Sequence, residues 1–305
     1  MAAGPTVARI RLGAALRRMR AAARLDQEPA ARALGATQPK IARIEGGMSA
    51  VRTQDVAALL GLYDVTDAAL REEMLGLADL SREDGWWAPL SRDLTVANRH
   101  LLDLEAEASQ IRVYDSQAIP ALLQTDAYAR AAASALAPDD RRWADRRWRG
   151  GLGTAALARR RGLLRLPDPP QVWALIQQAV LTRCPAANPA VLTGQLTELA
   201  DLAAGRGIAT PLILQIVPDD CAAAAVAPGP FSLLRYDHQD VPTVVLTEAM
   251  TTLKSSTAPG EVDHTMLAFG RLMIDALHPG QSLELLGELI ARRQRQPPGD
   301  HGHHD

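Results

Sequence analysis

The stretch DQEPAARALGATQPKIARIE, residues 26–45, predicts two short helices joined by a tight turn. Ala30, Ala31 and Leu34 give the first helix an inward face, and Ile41 and Ile44 do the same for the second. This is the spacing of one buried side on a period of about 3.6 residues. Gly35 stands where the chain reverses and a left-handed backbone costs no strain. Asp26 and Thr37 stand where N-caps are expected. Pro29 and Pro39 fall in the first turn after those caps, where a missing N–H breaks no intrahelical hydrogen bond. The second helix then carries Gln38, Lys40 and Arg43 on its open side, the outline of a helix-turn-helix that reads DNA.

Upstream, Leu12, Leu16, Met19 and Ala23 recur at helical spacing, so residues 9–23 form a first amphipathic helix with an arginine-rich outer side. Downstream, Thr53 is expected to cap a fourth helix bearing Val56, Leu59, Leu60 and Leu62, and Thr66 a fifth bearing Leu70, Met74 and Leu77. The predicted head is an all-α five-helix domain over residues 1–82, followed by a linker at 83–100 that holds the Trp86-Trp87 pair.

Charge supports the division. Net charge is −2, but residues 1–60 carry +6 and the remainder −8. A basic head on an acidic body points the head at a polyanion. Arg17, Arg18 and Arg52 are candidates for holding a phosphate backbone. At 305 residues and 47% hydrophobic content the chain has room for a second domain, and its 4% aromatic content means that aliphatic side chains fill the cores. No apolar run has membrane-spanning length and the N-terminus lacks a secretion pattern, so a cytoplasmic location with no membrane partner is expected. Cys184 and Cys221 have no metal-ligand spacing, and neither a metal nor a cofactor is expected.

The body, residues 101–292, reads as α+β with a small, mostly antiparallel sheet. IRVYD, PLILQIVP, FSLLRYD and PTVVLTEAM are strand-like and separated by Pro/Gly turns. Thr125 opens a helix, residues 191–204 form another with Leu192, Leu196, Leu199 and Leu202 on one stripe, and residues 261–292 are helical with a break at His278-Pro279-Gly280. VWALIQQAVLTRCP is apolar too continuously to separate strand from buried helix. The arginine-dense stretch 139–165 reads as the outer face of helices, with a second nucleic-acid surface as its alternative. Residues 293–305 are expected to be disordered.

LGAALRRMRAAARLDQ and LGATQPKIARIEGG resemble the xenobiotic-response-element type of phage-repressor-like helix-turn-helix domain. In that arrangement Gln27 and Gln38, eleven residues apart, let one glutamine brace the other against an adenine edge. LEAEASQIRVYDSQAIPALLQTDAYARA, LPDPPQVWALIQQAVLTR, LILQIVP and GPFSLLRYD resemble the uncharacterised C-terminal domain attached to such heads in actinomycete regulators of an antitoxin-like group. The resemblance implies a transcriptional regulator of a double-stranded DNA operator, its C-terminal domain sensing a small molecule or a small protein partner, and a homodimer is expected because one such head buries too little surface for specific recognition. Gln27, Thr37, Gln38, Lys40 and Arg43 then form the DNA-binding set, with Arg17, Arg18 and Arg52. The chain departs from the pattern at Asp26, Ala30, Ala36 and Pro39, and in the loop Gly46-Gly47-Met48-Ser49-Ala50, where the family has a basic segment. A rival class is a metal-free acid–base enzyme for dehydration or cyclisation, drawing on Glu105, Glu107, Tyr114, Asp115, His238, Glu248, Asp263 and His264. No nucleophile-elbow, zinc or phosphate-loop motif accompanies these residues, and no catalytic set is assigned.

Overall fold

The computed structural model describes residues 5–83, 96–135, 162–164, 169–186, 188–210, 212–227, 229–237, 241–248 and 253–295. The Trp86-Trp87 pair of the linker, nearly all of the arginine-dense stretch, His238 and residues 296–305 of the tail lie outside them. The chain divides into two compact units.

The first unit holds helices α1 (Pro5–Ala22), α2 (Gln27–Ala33), α3 (Gln38–Glu45), α4 (Thr53–Leu62), α5 (Ala68–Leu80) and α6 (Val96–Ala106), together with the segment Leu234–Val244. Its core joins Leu12 and Leu16 of α1, Ala30 and Ala31 of α2, Ile41 and Ile44 of α3, Leu59 and Leu60 of α4 and Leu77 of α5. These side chains are aliphatic, as the scarcity of aromatics predicts, and Tyr63 and Met74 complete the cluster. The expected five helices are present, and α6 is grouped with them rather than with the body. The cause is polar as well as apolar: the Thr6 hydroxyl on α1 donates to the buried Asp103 carboxylate on α6 at 2.7 Å, and the Tyr236 hydroxyl donates to the Leu104 carbonyl at 3.2 Å.

Two caps differ from the expected ones. Helix α5 is capped by Asp67, whose carboxylate accepts from the Ala69 and Leu70 N–H groups, and not by Thr66. Thr53 is already inside α4, where Arg52 takes the cap position and the Thr53 hydroxyl meets Asp79 at 2.5 Å. Asp26 and Thr37 occupy their N-cap positions with extended backbone, but neither side chain makes a capping hydrogen bond.

Apart from Leu234, Arg235 and Val244, a six-stranded sheet of order β3-β2-β1-β4-β5-β6 belongs to the second unit. The strands are β1 (Gln110–Asp115), β2 (Gln171–Gln177), β3 (Ile213–Val217), β4 (Phe231–Arg235), β5 (Val244–Glu248) and β6 (Leu253–Ser256). The expected α+β class is borne out, with one refinement: β1–β2 and β2–β3 are parallel, whereas β5–β6 is antiparallel. The ambiguous run at residue 171 resolves as β2 followed by a short 3-10 turn, Gln178–Leu181. Parallel strands covered on both faces read as continuous apolar runs, which is why periodicity could not settle it.

Around the sheet lie α7 (Asp126–Ala135), α8 (Ala190–Ala203), a single turn at Ala222–Ala225, α9 (Pro259–Asp275) and α10 (Pro279–Arg295). Thr125 caps α7 as expected, its hydroxyl accepting from the Tyr128 N–H at 3.2 Å. Helix α10 runs three residues into the segment expected to be disordered. One core cluster packs Tyr114, Leu175, Val217, Phe231 and Val245 of the sheet against Phe269 and Leu272 of α9. The edge strand β3 is covered by the α9–α10 turn: the Leu277 N–H donates to the Ile216 carbonyl at 2.9 Å, and the Ile216 N–H donates to the Ser282 hydroxyl at 3.0 Å. Such pairing removes the open edge that invites strand addition. Among the described residues no helix is long and apolar enough to cross a membrane.

Candidate nucleic-acid interface

Helix α3 separates its residues cleanly by side. Ile41 and Ile44 are buried at 1% and 2% exposure, while Gln38, Pro39, Lys40, Ala42 and Arg43 are exposed. The turn before it closes as the glycine predicts: Gly35 has φ +56°, and the Ala36 N–H reaches back to the Ala31 carbonyl at 2.8 Å. That 6→1 bond with a left-handed residue inside it is the usual way of ending a helix sharply. Thr37, Arg17, Arg18 and Arg52 are exposed, and Gln27 is half-buried.

Among the described residues the Gln27 amide donates to the Glu45 carboxylate at 2.9 Å, and no hydrogen bond joins it to Gln38. Glu45 is the last residue of α3 and is buried, with 4% of its side chain exposed. A carboxylate at a helix C-terminus opposes the helix dipole, and burial adds a desolvation cost. Both are offset by Arg20 of α1, whose Nε and Nη2 meet Oε1 and Oε2 at 2.6 and 2.9 Å, while its Nη1 donates to the Leu25 carbonyl at 2.6 Å. The Glu45 hydrogen bond raises the Arg20 pKa and keeps the guanidinium charged. Tyr63 is buried close by, and burial with the Glu45 charge pushes its phenol up to about 12. Sequence reasoning counted Arg20 and Glu45 only as charges. The available signal was an acid ending the second motif helix, where a cation must answer it.

Two glycines let α1 press on the end of α3. A methyl group at Gly13 would stand 2.4 Å from the Ile44 carbonyl oxygen, and one at Gly47, whose φ is +69°, would stand 2.8 Å from the Ile10 Cα. The loop that departs from the family's basic segment is therefore a close-packing device here.

In the second unit, an open cleft of about 480 Å³ is lined by Val245, Thr247, Lys254, Ser256, Glu261 and His264 among others. Lys254 pairs with Glu261 at 2.8 Å, and this bond with that from Ser256 holds the Glu261 carboxyl below its usual range. The candidate acid–base residues divide between the two units. Glu105 and Glu107 fall in the first unit; Tyr114, Asp115, Asp263 and His264 fall in the second. Tyr114 is core, 5.6 Å from the Phe231 ring, and Asp115 caps its own turn by accepting from the Gln117 and Ala118 N–H groups. His238 and the side chain of Glu248 lie outside the described residues. Among the described residues no group of three His, Cys, Asp or Glu could hold a metal ion.

The model of a domain of unknown function, DUF5753, matches residues 98–288. The chain belongs to the DUF5753 family. A helix-turn-helix domain model matches residues 11–74, from within α1 to Met74 of α5. No curated protein and no solved structure matches the chain. This DUF5753 member thus joins a helix-turn-helix head to a C-terminal domain whose family has no assigned activity, and the family match begins inside α6, the helix that packs with the head.

Proposed function

We propose that this protein is a sequence-specific transcriptional regulator that reads a double-stranded DNA operator through α3. The observation that carries the reading is the segregation of α3. Gln38, Lys40 and Arg43 are each exposed on a helix that turns Ile41 and Ile44 into the core of the head. Helices of this motif enter the major groove with their N-terminal residues against base edges. Gln38 is placed to donate to and accept from an adenine edge, and Arg43 and Lys40 to meet guanine or phosphate. Thr37, Arg17, Arg18 and Arg52 hold the backbone. Gln27 acts indirectly, through Glu45, by fixing the end of α3. The head works as a homodimer, because symmetric operators suit paired heads and one head buries too little surface for specific recognition. The C-terminal domain senses a small molecule or a small protein partner, and the cleft beside Lys254 and His264 is the candidate seat for the former.

Fluorescence anisotropy of the full chain on DNA from its own promoter region, at two salt concentrations, tests the reading beside a Gln38→Ala/Arg43→Ala variant. Binding that is sequence-specific, weakens with salt and is lost in the double variant is the expected result. Weak binding indifferent to sequence and to both changes would overturn it.

A further inference from the structure

Helix α9 buries one side and leaves the other open. Phe269 and Leu272 are each 1% exposed in the sheet core, whereas Leu267 is 71% and Ile274 68% exposed, the two largest exposures of apolar residues on the helix. At about 100° per residue, Gly260, Asp263, Leu267, Arg271 and Ile274 fall within roughly 40° of one line along that open side. All five are exposed. Asp263 and Arg271 form no ion pair among the described residues, and neither Gly260 nor Gly270 has anything within 4 Å of where a Cβ would stand.

The order of these residues is symmetric about Leu267. Asp263 lies four residues before it and Arg271 four after; Gly260 lies seven before and Ile274 seven after. A two-fold axis through Leu267 would set two such helices antiparallel and make every opposition favourable. Leu267 meets its own copy, each Asp263 meets an Arg271, each Ile274 side chain enters the space left by a Gly260, and His264 lies over Gly270. Self-complementarity of this kind is what an isologous interface demands, since residue i meets j and j meets i. A parallel pairing would set Asp263 against Asp263.

We propose that the open side of α9 is the surface on which a second copy of this chain docks, antiparallel and centred on Leu267. The proposal deepens the regulator reading and rests on it for its purpose: the pairing would give the protein two heads. A single helix face spanning roughly 21 Å covers less than the ~800 Å² per partner of a standard interface, so the dimer is concentration-dependent.

Sedimentation equilibrium of the full chain without DNA, from roughly 1 to 100 μM, is the test. The wild type should pass from monomer to dimer across the series. Asp263→Arg and Arg271→Asp should each weaken pairing at least ~tenfold by setting like charges together. An equimolar mixture of the two single variants should regain it, because one copy then presents two cations on this side and the other presents two carboxylates. Thermal melts of each variant check that the fold is kept. A wild type monomeric throughout, single variants that pair like the wild type, or a mixture that fails to recover would each overturn the proposal. Because no DNA is present, such a failure would leave the anisotropy result standing, and a failure of DNA binding would leave this one standing.

Discussion

The Arg20 guanidinium grips both carboxylate oxygens of Glu45, at 2.6 and 2.9 Å, and so ties the last residue of α3 to the last turn of α1. With Gln27 on the same carboxylate, three helices meet at one buried charge. The exposed side of α3 therefore takes its position from a polar cluster behind it as well as from Ile41 and Ile44.

Breaking that cluster from one side should cost more than removing it whole. Arg20→Met alone leaves the buried Glu45 carboxylate without its cation, with an expected loss of about 3–5 kcal/mol, and Glu45→Leu, which leaves the half-buried Arg20 still bonded to the Leu25 carbonyl, should cost less. The combined change should cost clearly less than the sum of the two. Hydrogen exchange of the α2 and α3 amides reads this locally, which suits a chain of two units better than one melting curve. Additive losses would refute the coupling.

Gly13→Ala should reverse the usual helix preference. An exposed interior glycine changed to alanine gains about 1 kcal/mol. Here the methyl group would stand 2.4 Å from the Ile44 carbonyl, so a loss of about 1–3 kcal/mol is expected from overpacking. Gly61→Ala on α4, where nothing lies within 4 Å, is the control and should stabilise. Equal effects at the two sites would show that α1 does not press on α3.

Among the described residues the buried Tyr63 hydroxyl has no hydrogen-bond partner, and its pKa is raised from 10 to about 12. A raised pKa means that the folded head holds the proton more tightly than the unfolded chain. The stabilisation is complete below pH 10 and is lost as pH rises from 10 to about 12, by at most about 1.4 kcal/mol per pH unit. Tyr63→Phe should flatten this alkaline loss and cost little at pH 7, since the hydroxyl has no bond to lose. Tyr236, Tyr114 and Tyr128, also raised by burial, add to the loss that remains. Unchanged pH profiles in wild type and variant would sink the assignment.

The cap of α5 gives a comparison between neighbours. Asp67→Ala should cost about 1 kcal/mol, because two N–H groups lose their acceptor, while Thr66→Ala should be close to neutral. Exchange rates of the Ala69 and Leu70 amides distinguish the two, and a larger effect at Thr66 would restore the sequence-based choice.

These residues also mark how far the sequence could be read. The apolar spacing of Ala30, Ala31, Ile41 and Ile44 and the turn glycine Gly35 were enough for the head, because a helix pair with one buried side imprints its period on the chain. Thr66 and Asp67 are both able to cap, and adjacency alone does not choose between them. The run at residues 171–177 hides its strand character because both of its faces are covered. Arg20, Gln27 and Glu45 converge only after three helices fold together, so the bond between Gln27 and Glu45 was not legible in the sequence. The strand β6 and the place of α6 beside α1 likewise depend on contacts far apart in sequence. The exposure of Gln38, Lys40 and Arg43 was legible because Ile41 and Ile44 are the apolar residues that this short helix turns inward.

The hydrogen bond from Thr6 to Asp103 bears on how such chains can be shuffled. A recombination breakpoint at residue 82 would carry five helices to a new host protein and leave behind Asp103 and the Tyr236 segment that accompany them. Heads exchanged between relatives must travel with α6, and must find in the recipient a returning segment that fits it. Inheritance of the head is thereby linked to inheritance of the body.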